Sequence, residues 1–174
     1  MEAWQVALLV LCIILGLYLA LIFVDVFFVL VFRRIFKKHN AALGVILHTN
    51  YDNVKKLFDL LNKNGVNVPY SLVETLNSID ANSFVNQETD ECKKSRNNLA
   101  YLRSEMSYFI NNDEMLSKNL EIRRSLESID ELNNDYRRLV AMYNADVLGF
   151  NYWINFLPTK YLKYIFRWKE KQII

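Results

Sequence analysis

Between Ala3 and Val24 no charged side chain interrupts 22 consecutive residues, and the apolar character resumes after Asp25 as far as Phe32. At about 1.5 Å per residue that run reaches ~33 Å, enough to cross a hydrocarbon core of ~30 Å. A transmembrane helix is therefore expected at the head of the chain. A cleaved signal peptide is the competing reading, but Met1-Glu2 supplies no basic leader, the apolar run is too long, and no Ala-x-Ala-like site follows it. Arg33, Arg34, Lys37 and Lys38 come directly after the span, whereas Glu2 is the only charged side chain before it. The positive-inside bias then gives a single-pass cell-membrane protein, N-terminus outside and C-terminal part cytoplasmic. Trp4 marks the outer interface in that topology. Asp25 would cost ~2.5–3.5 kcal/mol at the bilayer centre. Because the run from Trp4 to Phe32 is longer than the core needs, the expected place of Asp25 is the inner interface, with oligomer contact or ion passage as the alternative.

The remainder of the 174 residues leaves room for one domain of ordinary size. With only 4 Gly and 2 Pro, and polar stretches rich in Glu, Lys, Arg, Asn and Leu, an all-α fold is favoured over a turn-rich β fold. The expected division is an anchor over 1–32, a basic flank over 33–39, a helical bundle over 40–158 and a basic aromatic tail over 159–174. In the bundle, Leu43, Leu47, Val54, Leu57, Phe58 and Leu61 form an apolar helical stripe whose middle is weakened by Gly44 and Thr49-Asn50. Asn64-Gly65 ends that helix and Pro69 opens the next near Tyr70. The second pattern thins through Asp80-Ala81-Asn82-Ser83 and recovers at Cys92, Leu99, Leu102, Met106 and Ile110, with Thr89 as a cap for the second part. Asn111-Asn112-Asp113 makes the following turn. The expectation is an antiparallel bundle of three long helices, the second kinked or locally broken, or four helices if it reverses. Three would leave the tail far from the bilayer; four would return it.

The most regular stretch runs from Ile122 to Pro158. Ile122, Ile129, Tyr136, Tyr143, Phe150 and Leu157 form one seven-residue register, and Leu126, Asn133, Val140, Val147 and Ile154 the other. Alternating steps of four and three keep a seam facing partner helices, as in a left-handed coiled coil. Leu132 and Leu139 widen it, and Pro158 ends it. Asn133 takes an inward position, where a buried amide costs stability and fixes register. Asn144 and Asn151 lie on the seam's edge, placed to hydrogen-bond to a neighbouring helix, with ligand binding as the alternative.

Tyr143-Asn144, Val147, Phe150-Asn151, Ile154 and Leu157-Pro158 together resemble the C-terminal signature of the LemA family: two aromatic-Asn pairs seven residues apart, an aliphatic residue between them and a Phe-Pro stop. Phe150 stands for a usual Tyr and Leu157 for a usual Phe. Val68-Pro69-Tyr70-Ser71-Leu72-Val73-Glu74-Thr75-Leu76 is similar to the family's Ile-Pro-Asn-Leu-Val-Glu-Thr segment with one extra residue. The family's first-helix Arg, Val and Ala-Trp motifs have no counterpart here, so the resemblance covers about half the chain. It implies a membrane-anchored helical bundle and no reaction, since the family lacks an established activity.

Catalytic motifs are missing: the sequence contains no Gly-rich phosphate loop, G-x-S-x-G, H-E-x-x-H or Walker motif. His39 belongs to the basic flank and His48 has only Asp52 near it in helical spacing, so neither a metal nor another cofactor is expected. Cys12 in the span and Cys92 beyond it do not form a disulfide in this topology. Lys and Arg total 21 against 19 Asp and Glu, with the excess in the flank and tail, which suits a membrane surface better than nucleic acid. In the tail, Lys160, Lys163, Arg167 and Trp168 sit among further aromatics. That pattern fits binding to an anionic membrane surface or to a partner. Alternatively, Tyr161, Leu162, Ile165, Phe166 and Trp168 fold back onto the bundle while the cations stay in water. The functional expectation is a membrane-anchored scaffold or interaction module with a protein partner or self-association, and no enzyme or small-molecule substrate. An enzyme or ion-handling component using Asp25 or the bundle's polar residues is the alternative.

Overall fold

The computed structural model describes residues 2–156 and 159–174, and it is helical throughout, with no strand among the described residues. Helix α1 spans Ala3–Lys63, α2 Tyr70–Asn77, α3 Asp90–Asn112, α4 Glu114–Lys118, α5 Leu120–Asn155 and α6 Leu162–Ile165, with 3₁₀ turns at Ala81–Val85 and Thr159–Tyr161. The chain divides into two compact units: residues 1–37 with 144–173, and residues 38–143.

In the second unit the helix ends follow local chemistry. Gly65 takes φ +71°, the Val66 N–H bonds the Leu61 carbonyl at 3.1 Å and the Gly65 N–H bonds that of Asn62 at 3.0 Å. This Schellman pair stops α1 where the sequence places the stop. Pro69 precedes α2, which lasts only to Asn77. The Asp80 carboxylate accepts from the Asn82 N–H and opens the 3₁₀ turn, and the Thr89 hydroxyl accepts from the Cys92 N–H to cap α3. The expected interruption of the second helix is therefore complete: a short helix, a turn and a separate long helix. Two further caps lie in what the sequence reads as one turn, since Asp113 accepts from Met115 and Leu116, and Asn119 from Glu121 and Ile122. The five-residue α4 fits between them.

The core of this unit gathers Leu47, Val54, Leu57 and Leu61 of α1, Leu72 and Leu76 of α2, Phe84 of the turn, Cys92, Leu99, Leu102, Met106 and Ile110 of α3, and Ile122, Leu126 and Ile129 of α5. Phe84 is 1% exposed. It reaches this depth because α1 has Gly44 opposite the turn: a Cβ there would lie 2.6 Å from the Phe84 carbonyl oxygen. Asn40 Nδ2 beside it donates to the Val85 carbonyl at 3.2 Å. Gly44 is thus a close-approach point between helix and turn, and not only a weakness in the helix.

In the first unit, α1 is exposed on every side from Ala3 to Leu21; burial begins at Ile22 and recurs at Asp25, Val29 and Phe36. The C-terminal end of α5 covers that edge. Phe28 stacks on Trp153 with ring centroids 4.6 Å apart and planes 7° apart, and Phe36 meets Phe150 edge-on at 5.3 Å. Gly149 allows the approach of Phe32, whose ring lies 2.5 Å from where a Cβ would be. The end of α5 and the tail therefore lie beside the base of the apolar helix, not at the far end that three unbroken helices would give.

Candidate functional site

The seam of α5 buries Ile122, Leu126 and Ile129, then Tyr143, Val147, Phe150 and Ile154, while Asn133, Tyr136 and Val140 between them are half-buried. This looser middle is a polar layer. Asn133 borders a crevice of about 40 Å³ with Asn50, Arg96, Arg103 and Tyr136, and Arg96 Nη1 donates to the Tyr136 hydroxyl at 3.2 Å. Burial raises the Tyr136 phenol above its ordinary value against the opposing pull of the Arg96 charge. Asn50 is 5% exposed and its Oδ1 has no hydrogen-bond partner among the described residues. The inward Asn133 thus belongs to a cross-helix cluster whose other members, Asn50 and Arg96, have no mark in the seven-residue pattern of α5.

Below this layer, Tyr143 is 1% exposed and its hydroxyl donates to Glu88 Oε1 at 3.3 Å. Burial, then the Glu88 charge and the hydrogen bond to it, push the Tyr143 phenol up to about 12. Cys92 is buried too, and burial raises its thiol in spite of nearby Arg96. A low-pKa thiolate is what makes a cysteine reactive. This one is structural. His48 Nδ1 and Asp52 Oδ2 pair at 3.2 Å across one helical turn. Among the described residues no three His, Cys, Asp or Glu side chains gather where one metal ion could bind.

The tail is where the sequence candidates converge. Among the described residues the Asn151 side chain bonds the tail and not a neighbouring helix. Its Nδ2 donates to the Lys171 carbonyl at 2.8 Å and its Oδ1 accepts the Lys171 N–H at 2.9 Å, a two-point grip on the tail's backbone. One turn on, Asn155 Oδ1 accepts from Lys163 Nζ at 2.8 Å and its Nδ2 donates to Glu170 Oε1 at 2.9 Å. Lys171 Nζ lies over the Phe36 ring at 5.8 Å. Asn155, Glu170 and Lys171 carry this grip and were not singled out by sequence; the signal available was the pair of amides one turn apart facing a cationic segment.

Folding back is only partial. Leu162, Lys163 and Trp168 are half-buried, but Tyr161, Tyr164, Ile165 and Phe166 are exposed, as is Lys160. Trp168 stacks on Phe166 at 4.9 Å and 18°. Asn144 is half-buried; Pro158 and Leu157 lie outside the described residues. At the other end Trp4 is exposed, with its indole N–H donating to Glu2. Arg33, Arg34, Lys37 and Lys38 are exposed, and Asp25 is buried at 2% exposure and engaged in a polar or electrostatic contact. Asp25 therefore faces protein. Comparison of the chain with protein-family models, with curated proteins and with solved structures gives no match.

Proposed function

We propose that this chain is a membrane-anchored helical scaffold, inserted through the N-terminal part of α1 with its C-terminal part on the cytoplasmic side. The observation that carries the reading is the exposure of α1. The apolar window that qualifies by length as a span has none of its residues buried, unlike the core helix of a water-soluble protein. Large apolar side chains stay exposed from Trp4 through Leu30, including Phe23, Phe27 and Leu30. About twenty-seven residues at about 1.5 Å each make ~40 Å, the thickness of a bilayer with its interfacial zones. The exposed Arg33 and Arg34 follow where headgroups begin.

A scaffold is favoured over an enzyme or ion-handling component because the seam expected to face partner helices is mostly apolar, its polar groups being the small layer around Asn133 and the Tyr143–Glu88 pair. An antiparallel arrangement is supported in the second unit by Asn53–Ser128 and Asn64–Asn119 hydrogen bonds, since numbers rise on one side as they fall on the other. The LemA resemblance supports the same reading through its spaced aromatic-Asn pairs, although no family model matches.

Carbonate extraction and cysteine labelling test the proposal. The chain should stay in the carbonate-washed membrane pellet. A cysteine replacing the exposed Lys56, in a Cys12→Ser background, should react with an impermeant maleimide only after the cells are opened, against a low background because the remaining Cys92 is buried. Release into the supernatant would remove the anchor; labelling of sealed cells would reverse the topology.

A further inference from the structure

Within the first unit, an open pocket of about 260 Å³ is lined by Arg33 and Lys37 of α1, by Arg167, Lys169 and Lys171 of the tail, and by aromatic side chains including Phe150 and Trp168. Five cationic residues and no carboxylate line it. The one acid in this part of the tail, Glu170, is held by Asn155. Like charges gathered at one opening repel one another, and the grip of Asn151 on the Lys171 backbone is what keeps three of them beside the other two.

A second, independent feature is the backbone at Arg167. Helix α6 ends in a Schellman motif in which the Trp168 N–H bonds the Lys163 carbonyl at 2.9 Å, and the residue in the left-handed position is Arg167, at φ +52°. Glycine is the usual occupant, because a side chain there meets the backbone. Among the described residues Arg167 is the only non-glycine with positive φ. The chain tolerates strain at the position that delivers a guanidinium to the pocket, and strain held in place by its surroundings marks functional positions.

We propose that this pocket binds a phosphate group, that of an anionic phospholipid headgroup in the leaflet that α1 enters last. Guanidinium and ammonium donors on a water-accessible aromatic floor suit phosphate oxygens, and Arg supplies paired donors to them. The volume lies just below the ~300–1,000 Å³ of small-molecule pockets, a fit for a headgroup and not for acyl chains. Arg33 follows Leu30, the last large apolar residue exposed before the basic flank, by three positions, so the pocket lies at headgroup level. The exposed Tyr161, Tyr164 and Ile165 of the same tail would face the acyl boundary, as in interfacial aromatic helices. The lipid as source rests on the membrane-anchored reading; the phosphate chemistry does not.

The test uses the full chain in phosphatidylcholine nanodiscs with and without phosphatidylglycerol, read by native mass spectrometry of retained lipid and by the fluorescence of Trp168 in a Trp4→Phe, Trp153→Phe background. Wild type should retain phosphatidylglycerol over phosphatidylcholine. Arg167→Gly, which relieves the backbone strain and so leaves folding intact, should weaken that preference about five-fold, and Arg167→Gly with Lys171→Gln by roughly twenty-five-fold. Arg34→Gln, outside the pocket lining, should weaken it less than Arg167→Gly. Equal retention by wild type and the double variant would overturn the site. Binding of inorganic phosphate with no preference among lipids would overturn the lipid assignment, and that arm reads the pocket even if carbonate extraction removes the anchor.

Discussion

Replacing Gly44 by Ala separates two accounts of the same residue. In an exposed helix the change would stabilise by ~0.8–1 kcal/mol, because alanine loses less conformational freedom. Here the new Cβ would sit 2.6 Å from the Phe84 carbonyl oxygen, and ordinary contact begins at 3.4 Å, so α1 and the turn must part by the difference, about 0.8 Å. Overpacking of this kind costs ~1–3 kcal/mol, and loss of the Asn40–Val85 hydrogen bond would add ~0.5–1.5 kcal/mol. After the propensity gain, the net destabilisation is about 0.5–4 kcal/mol, or roughly 1–15 °C in melting temperature for a chain of this size. Thermal unfolding in nanodiscs followed by circular dichroism measures it, with Gly16→Ala as control because nothing lies within 4 Å of that position. Hydrogen exchange at the Ser83 and Asn86 amides, which bond within the turn, should quicken in Gly44→Ala. A Gly44→Ala protein that melts at or above the wild-type temperature would refute the close approach.

Thr89→Ala should cost about 0.5–2 kcal/mol by leaving the Cys92 N–H of α3 without its cap, read as a lower melting temperature. Asn151→Ala removes both bonds to the Lys171 backbone, so trypsin should cut after Lys169 and Lys171 faster while the helical signal stays nearly constant. The Tyr143 phenol ionises near 12 in the folded chain and near 10 in the unfolded one, so its share of stability is whole below pH 10 and is lost as pH rises from 10 through 12. Tyr143→Phe should flatten the fall of melting temperature in that window without abolishing it, because Tyr136 is shifted in the same direction.

What the sequence discloses depends on whether a residue's chemistry is local. Helix ends are local: a glycine at φ +71°, a hydroxyl accepting from an amide three residues on and a proline before a helix act within a few residues, and Gly65, Thr89 and Pro69 are where the pattern puts them. Asp113 and Asn119 are equally local, but two caps six residues apart read as one turn, so α4 was hidden. The α5 seam is legible because polar residues flank its apolar positions; it fades at Asn133 and Tyr136, where Asn50, Arg96 and Arg103 of other helices border the same crevice.

The inward edge of α1 is the harder case, because a helix apolar on all sides has no amphipathic signal. Phe27 is 56% exposed and Val29 is 1% exposed, yet nothing in either side chain says which one stays exposed. The informative residue is the one that breaks the run. A carboxylate turned toward hydrocarbon is costly, so Asp25 must face protein or a wet interface. Steps of four, seven and eleven from Asp25 reach Val29, Phe32 and Phe36, which are two buried residues and the ring packed against Gly149. Assigning Asp25 to an interface explains its cost but not its direction. Taken as a direction, it marks the edge along which the end of α5 packs, and Phe28–Trp153 and Phe36–Phe150 lie along it. The polar residue that interrupts the apolar run is thus the one that indicates where the chain folds back, and the same packing carries the Lys171 segment to the basic stretch of α1.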